Sequence, residues 1–162
     1  MNGLLTLNIL TMEKITIRHA TLEDMAFIVE SQVKMALETE GMILKKTTAT
    51  HGVQAVFDDP LKGFYIVGES ERSLCSCLMI TPEWSDWRNN WVWWIQSVYV
   101  TPEMRNAGVF KLMYNYIKAL VIQHDDVAGI RLYVDNTNTS AREVYKRIGM
   151  SDEHYRMFEW MK

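Results

Sequence analysis

At 162 residues, 48% of them hydrophobic, the chain has the length and apolar content of one compact domain. Its 17 Lys and Arg against 20 Asp and Glu give a formal net charge of -3, which argues against a partner gripped through a nucleic-acid backbone. The N-terminal "MNGLLTLNIL" is apolar but far too short to span a bilayer. No positive charge precedes it and no small-residue cleavage site follows, so a cytoplasmic protein that avoids membranes is expected.

The domain pattern begins near Met12, which leaves residues 1–11 as an N-terminal extension, an appended strand or a loose tail, and 12–162 as a single domain. "KITIR" alternates as a strand does. "TLED" then offers a Thr cap with an acid three residues later, before the helical spacing of Met25, Ile28, Val29 and Met35, which runs to Gly41. A second helix is predicted over "TTATHGVQAVF", ended by "DDP". "GFYIVGE" and "LCSCLMI" read as strands joined by the turn "SERS", and "TPEWSDWRNN" as a polar and aromatic loop. "WVWWIQSVYV" is the longest apolar strand candidate, broken by "TP". From Val109 the residues Leu112, Met113, Tyr116, Ile117, Leu120 and Val121 recur at three and four, the buried face of a long helix. "GIRLYV" follows as a strand, "SARE" as a capping box for a helix ended by Gly149, and "HYRMFEW" as a closing strand. The order implies a mixed α/β (α+β) fold with a central, mostly antiparallel sheet flanked by helices and a parallel crossover from Trp91–Val100 to Gly129–Val134.

Cys75 and Cys77 sit one residue apart in a strand with no second pair to complete a zinc site, and read as buried thiols. His19, His51, His124 and His154 are scattered without ligand spacing, so no metal is expected.

The turn "RNAGVF", Arg105–Phe110, sits where the apolar strand becomes the long helix. Glycine there lets backbone approach a ligand, and the helix start exposes N–H groups at its positive end, which suits an anion such as a diphosphate. It is neither a Walker loop nor G-x-G-x-x-G. With the downstream "NTSAREVYKRIGM", the stretch "VTPEMRNAGVFKL" closely resembles the GCN5-related N-acetyltransferase (GNAT) superfamily. That family carries Q/R-x-x-G-x-G/A at the helix start and N-x-x-A-x-x-x-Y-x-x-x-G-F beyond it. The matching residues are Arg105, Gly108 and Phe110, then Asn138, Ala141, Tyr145, Gly149 and Met150. Phe110 departs from the family's Gly or Ala, a change that leaves the backbone N–H available, and Met150 replaces Phe as a conservative core swap.

The resemblance implies transfer of acetyl from acetyl-CoA to a primary amine of a small molecule or peptide, by direct attack in a ternary complex. It implies that the backbone of a bulged strand, here at Val98 and Val100, binds the pantetheine arm and polarises the thioester. The amides of Arg105, Asn106, Ala107, Gly108, Val109 and Phe110 would hold the pyrophosphate, and Asn138 and Tyr145 would complete the cofactor site. Tyr145 occupies the position of the general acid that protonates the leaving thiolate. A Glu is often the base on this strand, but the chain has Gln96 and Trp94 there. A relay from Glu38 or Asp135 through water, or water alone, is left to take the amine proton.

Trp84, Trp87, Trp91, Trp93 and Trp94, interleaved with Glu83 and Asp86, would suit a cationic or aromatic amine. Glu38, Trp84, Trp87 and Gln96 are therefore the candidate acceptor-binding residues. The strand tryptophans read equally as core or as a dimer face, which keeps a homodimer open. Two alternatives stand beside the enzyme: a catalytically weak acyl-CoA-binding sensor, supported by the missing base, and an acyltransferase using a longer acyl-CoA.

Overall fold

The computed structural model describes residues 14–71 and 73–162; the expected extension at 1–11 lies outside them. Two compact units emerge, one through Arg131 and one of Leu132–Lys162.

The first unit is built on a five-stranded sheet in the order β1-β2-β3-β4-β5. β1 (Thr16–His19) leads into a single 3-10 turn capped as its sequence predicts: the Thr21 N–H donates to Asp24 Oδ2 at 2.7 Å. α1 (Met25–Glu40) follows and ends on Gly41, whose left-handed φ of 63° releases the chain from the helix. α2 (Lys46–Asp58) comes next, and the Asp59 side chain and Pro60 then turn the chain into β2 (Phe64–Glu69). Antiparallel pairing joins β1 to β2 and β2 to β3 (Leu74–Ser85).

β3 and β4 (Asn90–Val100) form a hairpin that pairs as far as Ser85 and Asn90, so residues 81–85 are strand where a loop is expected. The expectation rested on Pro82 and the charges. Cross-strand pairing of Thr81 with Trp94 and Trp84 with Trp91 outweighs both. Pro82 is tolerated because β2 stops pairing at Ile80, so its missing N–H falls on an open strand edge. The turn closes through Arg88 N–H to Ser85 O at 3.1 Å, and Asn89 takes a left-handed φ of 48°.

Opposed residues share a face, which assigns the two sides of the sheet. Tyr65, Val67, Cys77 and Tyr99 join Ile28 and Val29 of α1 and Ala49, Val53 and Val56 of α2 in one apolar cluster. Ile66, Leu78, Ile80 and Ile95 are wholly buried on the other side, which α3 (Val109–Gln123) covers with Val109, Met113 and Ile117. Ring contacts of His19 with Tyr116 and of Trp93 with His124 extend this second layer. β5 (Val127–Leu132) starts slightly earlier than its pattern suggests. Trp91 N–H reaches Asp126 O at 2.8 Å and the Arg131 guanidinium lies over Trp94, so β4 and β5 advance together and run parallel, as the crossover requires.

In the second unit α4 (Thr139–Arg147) is capped by Asn138, whose side-chain oxygen accepts from the Ala141 N–H at 3.0 Å. The cap therefore sits two residues before the Ser140 of the expected capping box, because Asn138 already satisfies the first-turn donor. Gly149, at φ 91°, follows the helix. His154–Trp160 forms no strand, contrary to its alternating pattern: alternation marks a face, but a strand needs a backbone ladder, and Ser151–Lys162 is exposed throughout.

Candidate active site

The end of β4 departs from regular pairing at one point. Cys77 faces Tyr99 and Met79 faces Gln96, so Leu78 alone opposes both Ser97 and Val98. Ser97 takes up the extra residue with a φ of 52°, a conformation few side chains adopt without a structural demand. The result is a bulge at Ser97–Val98 that interrupts the ladder to β3 and turns this part of the strand. Val98 and Val100 are half-buried.

Five residues beyond Val100 comes the turn. Pro102–Met104 makes one 3-10 turn, Asn106 is left-handed at φ 63°, and Gly108 is left-handed at φ 78° as the residue from which α3 starts. Arg105, Asn106, Ala107 and Gly108 are exposed, whereas Val109 is buried and anchors the helix. A Cβ built on Gly108 would meet nothing within 4 Å, so the backbone stands open to solvent there. The first turn of a helix has N–H groups without intrahelical acceptors, and these belong to Val109, Phe110 and Lys111. The Phe110 ring is half-buried and lies 6.4 Å from the Tyr114 ring, so the side chain turns toward its own helix and leaves the backbone accessible.

Arg105 reaches back from the turn. Its Nε donates to Val100 O at 3.0 Å, one terminal nitrogen donates to Glu38 Oε2 at 2.6 Å, and the guanidinium lies 5.7 Å from the Tyr99 ring centre. Burial, followed by the charge of Glu38, pushes the Tyr99 phenol up. Glu38, a candidate for acceptor binding, is thus engaged with the turn.

Further along β4, on the face that carries Tyr99, the Gln96 amide donates to the Thr81 hydroxyl. Trp94 Nε1 donates to Glu83 Oε2 at 2.8 Å, and Arg131 donates to Glu83 Oε1 at 2.7 Å. Trp84 stacks edge-on against Trp91 at 5.1 Å on the opposite face, and Trp87 in the turn is 90% exposed. Gln96 therefore lies on one side of the sheet and Trp84 on the other. Arg131 escapes sequence reading because its partner is distant: Glu83 and Arg131 are 48 residues apart.

In the second unit, Tyr145 is half-buried on α4, and burial pushes its phenol up, which keeps the proton on oxygen at neutral pH. Asn138 commits its carbonyl oxygen to the helix cap, which leaves its amide N–H groups for a ligand. Asp135 accepts from both the backbone N–H and the hydroxyl of Thr137, and these bonds hold its carboxyl below the usual range, a poor setting for a base. Among the described residues no group of three or more His, Cys, Asp or Glu is placed to hold a metal, and no helix is long and apolar enough to cross a membrane.

The model of the acetyltransferase (GNAT) family matches residues 31–150. The chain belongs to that family. As an acetyltransferase of this family it takes acetyl-CoA as its co-substrate. It is 39% identical to a possible acetyltransferase from Clostridium difficile 630, a likeness covering 93% of this chain and 99% of that one with a TM-score of 0.84. A predicted acetyltransferase with acetyl-CoA from Clostridium acetobutylicum shares the fold at 18% identity and a TM-score of 0.71, over 90% of this chain and 96% of that one. AAC(6')-Iy in complex with the bisubstrate analog CoA-S-monomethyl-acetylneamine shares it at 10% identity and a TM-score of 0.73, over 92% and 99%. No curated protein matches the chain.

The turn fits the group the family implies. An open glycine backbone, a left-handed Asn106 and the first-turn N–H groups of a 15-residue helix are the kind of donors a diphosphate takes.

Proposed function

We propose that this acetyltransferase passes the acetyl group of acetyl-CoA directly to a primary amine of a small molecule or peptide, in a ternary complex, in the cytoplasm. The observation that carries the reading is the succession on one stretch of chain of the Ser97–Val98 bulge and the open Gly108 turn. The turn supplies donors for a diphosphate, and the interrupted strand supplies backbone groups for an amide-bearing arm and a thioester carbonyl.

In the reaction the amine nitrogen forms a bond to the acetyl carbon and the carbon–sulfur bond breaks. The amine proton passes to water, since neither Gln96 nor Trp94 is a base, Glu38 is paired with Arg105, and the hydrogen bonds from Thr137 make the Asp135 carboxylate a weaker base than usual. Tyr145, protonated at neutral pH, gives its proton to the departing sulfur and recovers one from solvent. Trp84 and Trp87, at the hairpin tip and away from the Gln96 face, contribute to acceptor selection.

A second reading, an acyl-CoA-binding sensor with weak turnover, draws support from the same shortage of a free base. One experiment separates the two: a thiol-release screen of amines, amino acids, polyamines and peptides with acetyl-CoA. Cys75 and Cys77 are buried, and burial pushes the Cys77 thiol up to about 12, so the released CoA thiol is the species that a thiol reagent reads. Turnover on one amine class supports the enzyme. CoA binding without turnover on any class supports the sensor.

A further inference from the structure

The sequence places Glu38 with the acceptor, yet its carboxylate is joined to the first residue of the cofactor turn. Arg105 has three anchors: Val100 O at 3.0 Å, Glu38 Oε2 at 2.6 Å and the Tyr99 ring at 5.7 Å. Two belong to the end of β4 and one to the last turn of α1. The left-handed Asn106 follows immediately, and Gly108 two residues later. The turn's flanking backbone bonds are Arg105 N–H to Pro102 O on one side and Leu112 N–H to Gly108 O on the other. The Arg105 side chain is therefore the fastening that ties the leading edge of the turn to the body of the unit, and Glu38 closes it.

We propose that Glu38 is a positioning residue: by fixing the Arg105 guanidinium it holds the Arg105–Gly108 backbone ready for the diphosphate. The proposal rests on the reading that this turn binds CoA. A carboxylate near a diphosphate would by itself repel it, but here the charge is matched by the guanidinium at 2.6 Å, so orientation outweighs repulsion. Both side chains are about two-fifths exposed, which limits the effect to that of a surface ion pair, roughly two- to five-fold in affinity.

The test is calorimetric titration of CoA into the full chain and its Glu38→Gln, Arg105→Ala and doubly substituted variants, with steady-state kinetics beside it. Glu38→Gln should weaken CoA about two- to five-fold and raise KM for acetyl-CoA by the same factor. The loss should fall on that KM, not on kcat or the acceptor KM. The double variant should bind CoA no more weakly than Arg105→Ala alone, because Glu38 acts through Arg105. Three results overturn the proposal: CoA affinity in Glu38→Gln equal to or tighter than wild type, additive losses in the double variant, or a raised acceptor KM with CoA affinity unchanged. Wild-type chain that fails to bind CoA would instead remove the underlying reading of the turn, and the proposal with it.

Discussion

Trp94 donates its indole N–H to Glu83 at 2.8 Å on the face of the sheet that also carries Gln96, while its neighbour in sequence, Trp93, points into the opposite layer. The tryptophans therefore divide between two surfaces, and acceptor selection can be assigned by mutation. If the hairpin tip meets the amine, Trp84→Ala and Trp87→Ala raise the acceptor KM and leave CoA affinity unchanged. Steady-state kinetics on the best acceptor decides the matter. An unchanged KM in both, with a raised KM in Trp94→Phe, would move the acceptor to the Gln96 face.

Arg18 forks onto Asp24 with contacts of 2.7 and 3.0 Å, and Asp24 is only 4% exposed. Removing the carboxylate by Asp24→Asn leaves a half-buried guanidinium short of a partner and should cost about 2 kcal/mol, or a fall in Tm of about 4–8 °C. Arg18, with Thr21 assisting, holds the Asp24 carboxyl below its ordinary value of 3.8. The unfolded chain thus binds this proton at higher pH than the folded one. The stabilisation is complete above about pH 4 and is lost as pH falls through the depressed folded value. Urea melts of wild type and variant should show a stability gap that is constant near neutrality and narrows in acid; a gap independent of pH down to 2 would contradict this account of the pair.

Tyr145→Phe retains the ring and its packing and removes one oxygen. As the general acid, that oxygen should be worth roughly a hundred- to ten-thousand-fold in kcat, with CoA affinity preserved. Burial pushes the phenol up, so the alkaline limb of the wild-type rate profile should lie above that of an ordinary tyrosine, near 10. A Phe variant as fast as wild type, under conditions where chemistry limits, would leave Tyr145 a packing residue with water as the proton donor.

Much of the fold was readable because it follows from short-range pattern. The three-and-four spacing from Val109 places α3, and Gly108 punctuates its start, since the left-handed backbone there favours glycine. The resemblance puts the freed backbone of a bulged β4 at Val98 and Val100; that Ser97 takes up the extra residue follows from the register with β3, which no local pattern encodes. Thr81–Ser85 were misread for a related reason. Pro and charge argue for a loop, and the cross-strand aromatic partners that overrule them can be seen only once the hairpin is closed. His154–Trp160 shows the converse, an alternating pattern that is not a strand in the structure. Within the candidate site, the turn was legible and its fastening was not, because Glu38 and Arg105 are 67 residues apart.

If the Gly108 turn receives the diphosphate of CoA, thermal melts with and without CoA will register it. Binding to the folded state at a hundred times Kd stabilises by about 2.7 kcal/mol, which for a chain of this length raises Tm by about 5–10 °C. Gly108→Val fills the open space where the ligand would lie and strains a backbone held at φ 78°. The variant should melt somewhat lower, keep the wild-type circular dichroism spectrum and lose the response to CoA. A folded Gly108→Val chain whose Tm rises with CoA as much as wild type would place the cofactor elsewhere and contradict the account.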